Sequence, residues 1–239
     1  IEIPMNFDEI KQEVQLWKKQ NKTPQLFLRD DDATTVTPAL KQLSSLCTSH
    51  TIPLLLAVVP EPATEELAEY ILKHPLISSA VHGYRHISHA PEGQKKCELD
   101  HYRSRDAVLN ELSLGRDKLS KQHKDSFSNI LVPPWNRIHD EIVEQLAAIG
   151  YKSLSTHGWK KRTSPIPILN THIDIINWSG GRIAYPHQQL LEQVTFHLKA
   201  AREKNFQPVG LLTHHLDHDK KAWEFLHLFF KTMGEQELC

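Results

Sequence analysis

Short apolar runs alternate with longer amphipathic stretches along the chain. Seven runs have the length and apolar character of buried strands: residues 26–28, 54–59, 76–81, 130–132, 152–155, 173–178 and 209–212. Six intervening stretches have helical spacing: residues 37–50, 64–73, 104–122, 140–150, 188–204 and 220–233. This alternation predicts an α/β fold with a parallel sheet, either open and doubly wound or closed. Seven strands favour the closed form, a distorted (β/α) barrel.

The chain shows no internal repeat, low-complexity segment or linker-like charge block. We therefore expect a single domain over residues 1–239, with a core at about 25–232. Its 28 Lys and Arg balance 29 Asp and Glu, which leaves a net charge of −1 and no bulk basic surface for nucleic acid or a membrane. No apolar run approaches the roughly 18 residues of a membrane span.

Cysteine content and the start of the chain bear on the compartment. Cys47, Cys97 and Cys239 are widely spaced, odd in number and without a CxxC pair, so they predict no disulfide framework. The first 20 residues mix charged and apolar positions and have no signal-like character. These features favour a reducing, cytoplasmic location.

Polar residues crowd immediately after four of the predicted strands, at residues 29–32, 82–89, 133–137 and 213–218. In a parallel α/β fold the carboxyl ends of the strands share one edge, where ligands and substrates bind. We therefore expect these four segments to form one site, although they are far apart in sequence.

The segments contain the donors of a metal site. Two imidazoles four residues apart, His82 and His86, together with one carboxylate of the Asp30–Asp32 run, make an open three-ligand site for Zn²⁺ or another divalent ion. Such a site favours hydrolysis, with a second carboxylate as base and His214 or His215 as acid. Two plainer interpretations remain: an acidic turn that caps the next helix, and histidines satisfied by ordinary hydrogen bonds.

Other catalytic motifs are missing from the sequence. There is no GxSxG, Walker A or GxGxxG pattern, and neither Cys47 nor Cys97 lies in a strand-end cluster, which favours packing roles. Trp135 and Trp178 follow predicted strands, where they either line a pocket or fill the core.

Together these motifs resemble the polysaccharide deacetylase superfamily (NodB homology, carbohydrate esterase family 4). The chain carries RDDDA, HGxxHxxHA, PPWNR and LLTHH in the order of the family's T-F-D-D-G, H-[ST]-x-x-H, R-x-P-[YF] and L-x-H motifs. The resemblance covers roughly residues 27–215. It implies a (β/α) barrel and a metal-dependent hydrolase that cleaves an acetyl group, most often an amide, from a carbohydrate.

Carried over position by position, the resemblance implies a role for each motif residue. Asp31 becomes the catalytic base and Asp32 the first metal ligand, although a slip of one residue would select Asp30 and Asp31 instead. His82 and His86 complete the metal triad, with Zn²⁺ favoured over Co²⁺, Ni²⁺ or Fe²⁺. His214 becomes the general acid.

The sequence also departs from the family pattern. The arginine of the third motif falls on Val132, so Arg29 or Arg137 has to replace it, and Gly83 stands where the family has Ser or Thr. Trp135 takes the position whose backbone N–H faces the oxyanion.

Residues 174–178 match the family's D-x-x-D-W with Asn177 for the second Asp, which keeps Trp178. Two alternatives to a carbohydrate deacetylase stay open: an amidase for a small non-carbohydrate substrate, and an inactive homologue that binds metal or carbohydrate.

Overall fold

The computed structural model describes residues 5–235, which contain alternating helices and strands. The helices are α1 (Asp8–Lys18), α2 (Pro38–Ser49), α3 (Glu65–Lys73), α4 (Arg105–His123), α5 (Asp140–Val143), α6 (His187–Glu203) and α7 (Lys220–Glu235). The strands are β1 (Leu26–Ala33), β2 (Leu54–Val58), β3 (Ile77–His82), β4 (Phe127–Val132), β5 (Ser153–Leu154), β6 (Thr171–Asp174), β7 (Ile176–Asn177), β8 (Ile183–Ala184) and β9 (Val209–Thr213).

Seven parallel strands form one sheet in the order β5-β4-β3-β2-β1-β9-β6. The two edge strands approach each other through isolated parallel bridges, Leu154 with Ile168 and His157 with Thr171. The sheet therefore curls into the predicted distorted (β/α) barrel. Strands β7 and β8 form a separate antiparallel hairpin after β6.

The helices follow from local signals. At the start of α2, the Thr37 side chain accepts a hydrogen bond from the Leu40 N–H at 3.0 Å, and Pro38 occupies the first turn. The buried positions of α2, namely Leu40, Leu43, Ser44 and Cys47, have the spacing of one helical face. Because Thr37 caps this helix and Asp30–Asp32 lie inside β1, the hypothesis of an acidic helix cap is wrong.

Two predicted elements differ from the structure. The helix predicted at 140–150 ends at Val143. The chain then continues in turns whose hydrogen bonds join residues three apart, such as the Leu146 N–H and the Val143 carbonyl. The strand predicted at 173–178 divides into β6 and β7. Its break has a local cause, since the Asp174 carboxylate accepts the Ile176 N–H at 3.0 Å and so competes with the sheet.

The core lies inside the barrel and between the sheet and the helices, and β9 is buried along its whole length. Cys47 and Cys97 are both buried, and burial raises the pKa of their thiols to about 12 and about 11. Both thiols are therefore protonated packing groups, whereas Cys239 lies outside the described residues. No helix within residues 5–235 is long and apolar enough to cross a membrane.

Candidate metal and active site

The site begins in β1, where the backbone departs from regular strand geometry. The register between β1 and β2 shifts between Asp30 and Ala33, and Asp32 has a φ of 75°. A bulge of this kind redirects a side chain that regular alternation would send to the opposite face. Asp31 and Asp32 are adjacent in sequence, yet the charges of both act on His82.

Asp32 lies between the two histidines of the HxxxH motif. Its Oδ1 is 2.9 Å from the Nε2 of His82, at the end of β3, and 3.1 Å from the Nε2 of His86 in the following loop. Burial alone would raise the pKa of Asp32, but the hydrogen bonds and charges of the two histidines lower it strongly. The carboxylate is therefore ionised.

These three residues fit a divalent metal ion. Each offers one ligand atom, and the three atoms lie within 4.8 Å of one another. His82 Nδ1 is 2.8 Å from the Val132 carbonyl, so this nitrogen bonds the backbone and leaves Nε2, on the side of Asp32, as the ligand atom. Two imidazoles and one carboxylate are the ligand set of many open zinc sites.

The loop that carries His86 is held by a glutamate that sequence reasoning missed. The Glu98 carboxylate, 1% exposed, accepts the backbone N–H groups of Tyr84 at 3.3 Å and Arg85 at 2.7 Å. Gly83, with a φ of 59°, lets the chain turn directly over this carboxylate. Glu98 lies 16 residues after His82 in the sequence, outside the family motif, and no sequence pattern indicated this role.

At position 83 we expect the residue of the family motif, Ser, to destabilise this protein. A Cβ at position 83 would lie 2.1 Å from Glu98 Oε2 and 2.6 Å from Pro134 Cγ, in addition to the strain of a positive φ. We expect Gly83→Ser, although it restores the family residue, to lower the free energy of unfolding by several kcal/mol, from strain of about 1–3 kcal/mol plus the clash. Urea unfolding measures this loss.

Gly93→Ser is the matched control for this prediction. Gly93 has a φ of 80°, but a Cβ there would meet nothing within 4 Å. It therefore isolates the cost of backbone strain, and equal losses in the two variants would show that Glu98 and Pro134 do not restrict position 83.

Asp31 is paired with Arg29, two residues earlier on the same strand. The guanidinium donates from Nε to Oδ1 and from Nη2 to Oδ2, both at 2.9 Å, and neither residue is more than 2% exposed. Its other N–H groups donate to Asn136 Oδ1 at 2.7 Å, to Ser155 Oγ at 2.8 Å and to the Thr156 carbonyl at 3.1 Å. A fully bonded arginine thus fixes the orientation of the Asp31 carboxylate.

The alternative arginine lies elsewhere. Arg137 Nη1 donates to the Lys96 carbonyl at 2.8 Å, and its side chain lines a cavity beside Asn136 instead of contacting Asp31. Of the two arginines that the sequence offered, Arg29 makes the contact with the proposed base.

Trp135 lies at the turn after β4 with a φ of 55°. The hydrogen bonds of this turn run from the Asn136 N–H to Pro133 and from the Arg137 N–H to Pro134, and neither uses the Trp135 N–H. The Trp135 ring lies 4.4 Å from the His86 ring, between centroids. The turn therefore places Trp135 beside the metal triad.

Asp174, Trp178 and His214 form another wall of the site. Trp178 Nε1 donates to Asp174 Oδ2 at 2.8 Å, and the Trp178 and His214 rings meet edge to face with centroids 4.7 Å apart. His214 Nδ1 is buried and has no hydrogen-bond partner among residues 5–235. Burial raises the pKa of Asp174, whereas the nearby His214 acts in the opposite direction.

Asp30 is separated from this site by a buried pair with His215. Its carboxylate bonds His215 Nδ1 and accepts the Thr213 hydroxyl at 2.7 Å and the His215 backbone N–H at 2.8 Å. Burial would raise the pKa of Asp30 and lower that of His215, but their mutual attraction reverses both shifts. Of the three aspartates, Asp32 is therefore grouped with His82 and His86, Asp31 with Arg29, and Asp30 with His215.

His89, the extra histidine of the second cluster, does not join the triad. Its backbone N–H donates to the Cys97 carbonyl, and its ring lies near Arg103, Glu98 and Glu111. Burial and Arg103 lower its pKa, which leaves it neutral.

Comparisons with known proteins support the fold. The sequence matches no protein-family model and no curated protein. A carbohydrate esterase family 4 pseudoenzyme from Bacillus anthracis aligns at 15% identity and a TM-score of 0.60, over 90% of this chain and 62% of its own. The chain therefore spans slightly less than two thirds of that protein.

Two further solved structures match over most of both chains. The family 4 carbohydrate esterase of Streptomyces lividans, in complex with acetate, has 12% identity and a TM-score of 0.60, over 90% of this chain and 91% of its own. A peptidoglycan deacetylase of Bacillus subtilis has 12% identity and a TM-score of 0.57, over 90% and 85%. The chain thus has the polysaccharide deacetylase fold that its motifs imply.

Proposed function

We propose that this protein is a metal-dependent hydrolase that removes an acetyl group, N-linked in preference to O-linked, from a carbohydrate derivative. One observation carries the proposal: a second carboxylate, Asp31, is held by Arg29 beside the triad of Asp32, His82 and His86. Metal binding alone needs no such group, whereas hydrolysis needs a base next to the metal. The similar solved structures support the choice of an acetyl group and a carbohydrate, because one is described as a carbohydrate esterase and another as a peptidoglycan deacetylase.

The proposed mechanism gives each site residue a role. Asp32, His82 and His86 would hold the ion, which supplies positive charge that acidifies a water molecule and polarises the acetyl carbonyl. Asp31 takes the proton of the attacking water, and the Trp135 N–H donates to the carbonyl oxygen as negative charge develops.

The departing amine is protonated by His214. Its neighbour Asp174 lies close enough for the charges of the two groups to interact. Trp178 stands against the same imidazole and is 40% exposed, so its free surface is available to the substrate.

The test is elemental analysis and deacetylase activity on the same samples. We expect about one equivalent of Zn, Co, Ni or Fe in the proposed site of the wild type, and loss of that equivalent and of activity in His82→Ala/His86→Ala. His50→Ala/His227→Ala is the control, because these two rings also lie close together, with centroids 5.8 Å apart, but belong to no metal-type group within residues 5–235.

Other outcomes separate the alternatives. Metal with activity only on simple amides favours the small-molecule amidase. Metal without activity on any acetylated substrate favours an inactive homologue. One of the proteins with a similar fold is described as a pseudoenzyme. Absence of metal from this site after reconstitution would contradict the proposal.

A further inference from the structure

A second group of potential metal ligands lies outside the proposed active site. An isolated parallel bridge joins Leu99 to Ile138, and the His139 N–H donates to the Leu99 carbonyl at 2.8 Å. This pairing ties the loop between β3 and α4 to the turn after β4. It places Asp100 and His101 from the first segment beside His139 from the second.

The side chains of these three residues converge. Asp100 Oδ1 is 2.5 Å from His101 Nδ1, and the His101 and His139 rings lie 5.2 Å apart between centroids, at 62°. One ligand atom from each residue lies within 4.8 Å of the other two, the same criterion that the first triad meets. The only groups of this kind within residues 5–235 are these two.

We propose that Asp100, His101 and His139 form a second divalent metal site. Two imidazole nitrogens with one carboxylate oxygen suit Zn²⁺ and its transition-metal neighbours, and do not suit Mg²⁺ or Ca²⁺, which prefer oxygen ligands alone. The His101 side chain is 61% exposed, so this group of residues lies at the surface, where an ion can reach it from solvent.

The position of this site suggests a bracing role. The two segments that it joins also carry His86 and Trp135, whose rings lie 4.4 Å apart at the proposed active site. A metal ion bound to both segments would fix their separation at the cost of ordering one exposed histidine. Asp100 and His139 also line a cavity of about 300 Å³ that extends to Asn136, the residue bonded to Arg29.

The test is zinc stoichiometry by equilibrium dialysis with zinc alone, followed by elemental analysis. We expect two equivalents in the wild type, one in His101→Ala/His139→Ala, one in His82→Ala/His86→Ala, and two in the control His50→Ala/His227→Ala. With Co²⁺ in place of Zn²⁺, the visible absorption spectra of the two site variants should add up to the wild-type spectrum, and the control variant should keep the whole spectrum.

The outcomes separate this site from the proposed active site. One equivalent in the wild type that survives His101→Ala/His139→Ala overturns the second site, and the three residues then form an ordinary hydrogen-bonded cluster. One equivalent that survives only His82→Ala/His86→Ala supports the second site and overturns the first. His101→Gln serves if the double variant does not fold, because this exposed side chain can be replaced without a cavity. Two equivalents in a folded His101→Gln would contradict the assignment.

Discussion

Replacing Asp31 by Asn is expected to lower the deacetylation rate by roughly 10²- to 10⁴-fold, the usual contribution of a general base. Metal content should not change, because Asp31 is not one of the three ligands. The variant keeps the size of the side chain but cannot accept the proton of the attacking water. The measurement is the rate of acetate release, with metal content determined on the same sample.

Asp32→Asn is the informative companion variant. Asp32 contacts both histidines, so its loss should lower metal content and activity together, whereas Asp31→Asn should lower activity alone. Turnover of Asp31→Asn comparable to the wild type would remove Asp31 from the role of base. Loss of metal from Asp31→Asn would mean that the two adjacent carboxylates act as one ligand group.

The strand-end clusters were readable from the sequence because parallel strands impose a shared edge. All seven predicted strands contribute residues to the sheet, although the second half of the one predicted at 173–178 belongs to the separate β7–β8 hairpin. The cluster after β3 reaches Asp32 through His82, and Trp135 from the next cluster lies against the other triad histidine. His214 lies beside Asp174, whose pKa is also affected by the charge of Asp31. Even the Arg29–Asp31 pair had a signal, since residues two apart lie on the same face of a strand. The family motif, which puts the arginine on another strand, left Arg137 as an equal candidate.

Other features depend on contacts that no local pattern records. Glu98 reaches the Tyr84 and Arg85 amides only because its loop folds back over the end of β3. The Asp30–His215 pair arises from the neighbouring positions of β1 and β9 in the sheet. The apolar spacing at 140–150 predicted the buried positions correctly, since Ile142, Val143 and Leu146 are buried. It did not predict the backbone, because irregular turns after Val143 bury the same positions as a helix would.

The buried Arg29–Asp31 pair should dominate the stability of the site. We expect Arg29→Met to lower the free energy of unfolding by about 3–5 kcal/mol, because it leaves a carboxylate buried without its cation. Asp31 is 2% exposed, and the Asn136, Ser155 and Thr156 acceptors also lose their donor. Guanidinium unfolding of the wild type and variant measures the effect directly, whether or not the protein is an enzyme.

Arg182→Met provides the matched control for burial. The Arg182–Asp217 pair has the same 2.9 Å separation, but its arginine side chain is 64% exposed, so we expect a loss of about 1 kcal/mol or less. A double variant, Arg29→Met/Asp31→Asn, should lose less than the sum of the single variants, because the buried charge is removed together with its partner. Additive losses would show that Arg29 stabilises the barrel through Asn136 and Ser155 alone, and the positioning of Asp31 would then need another source.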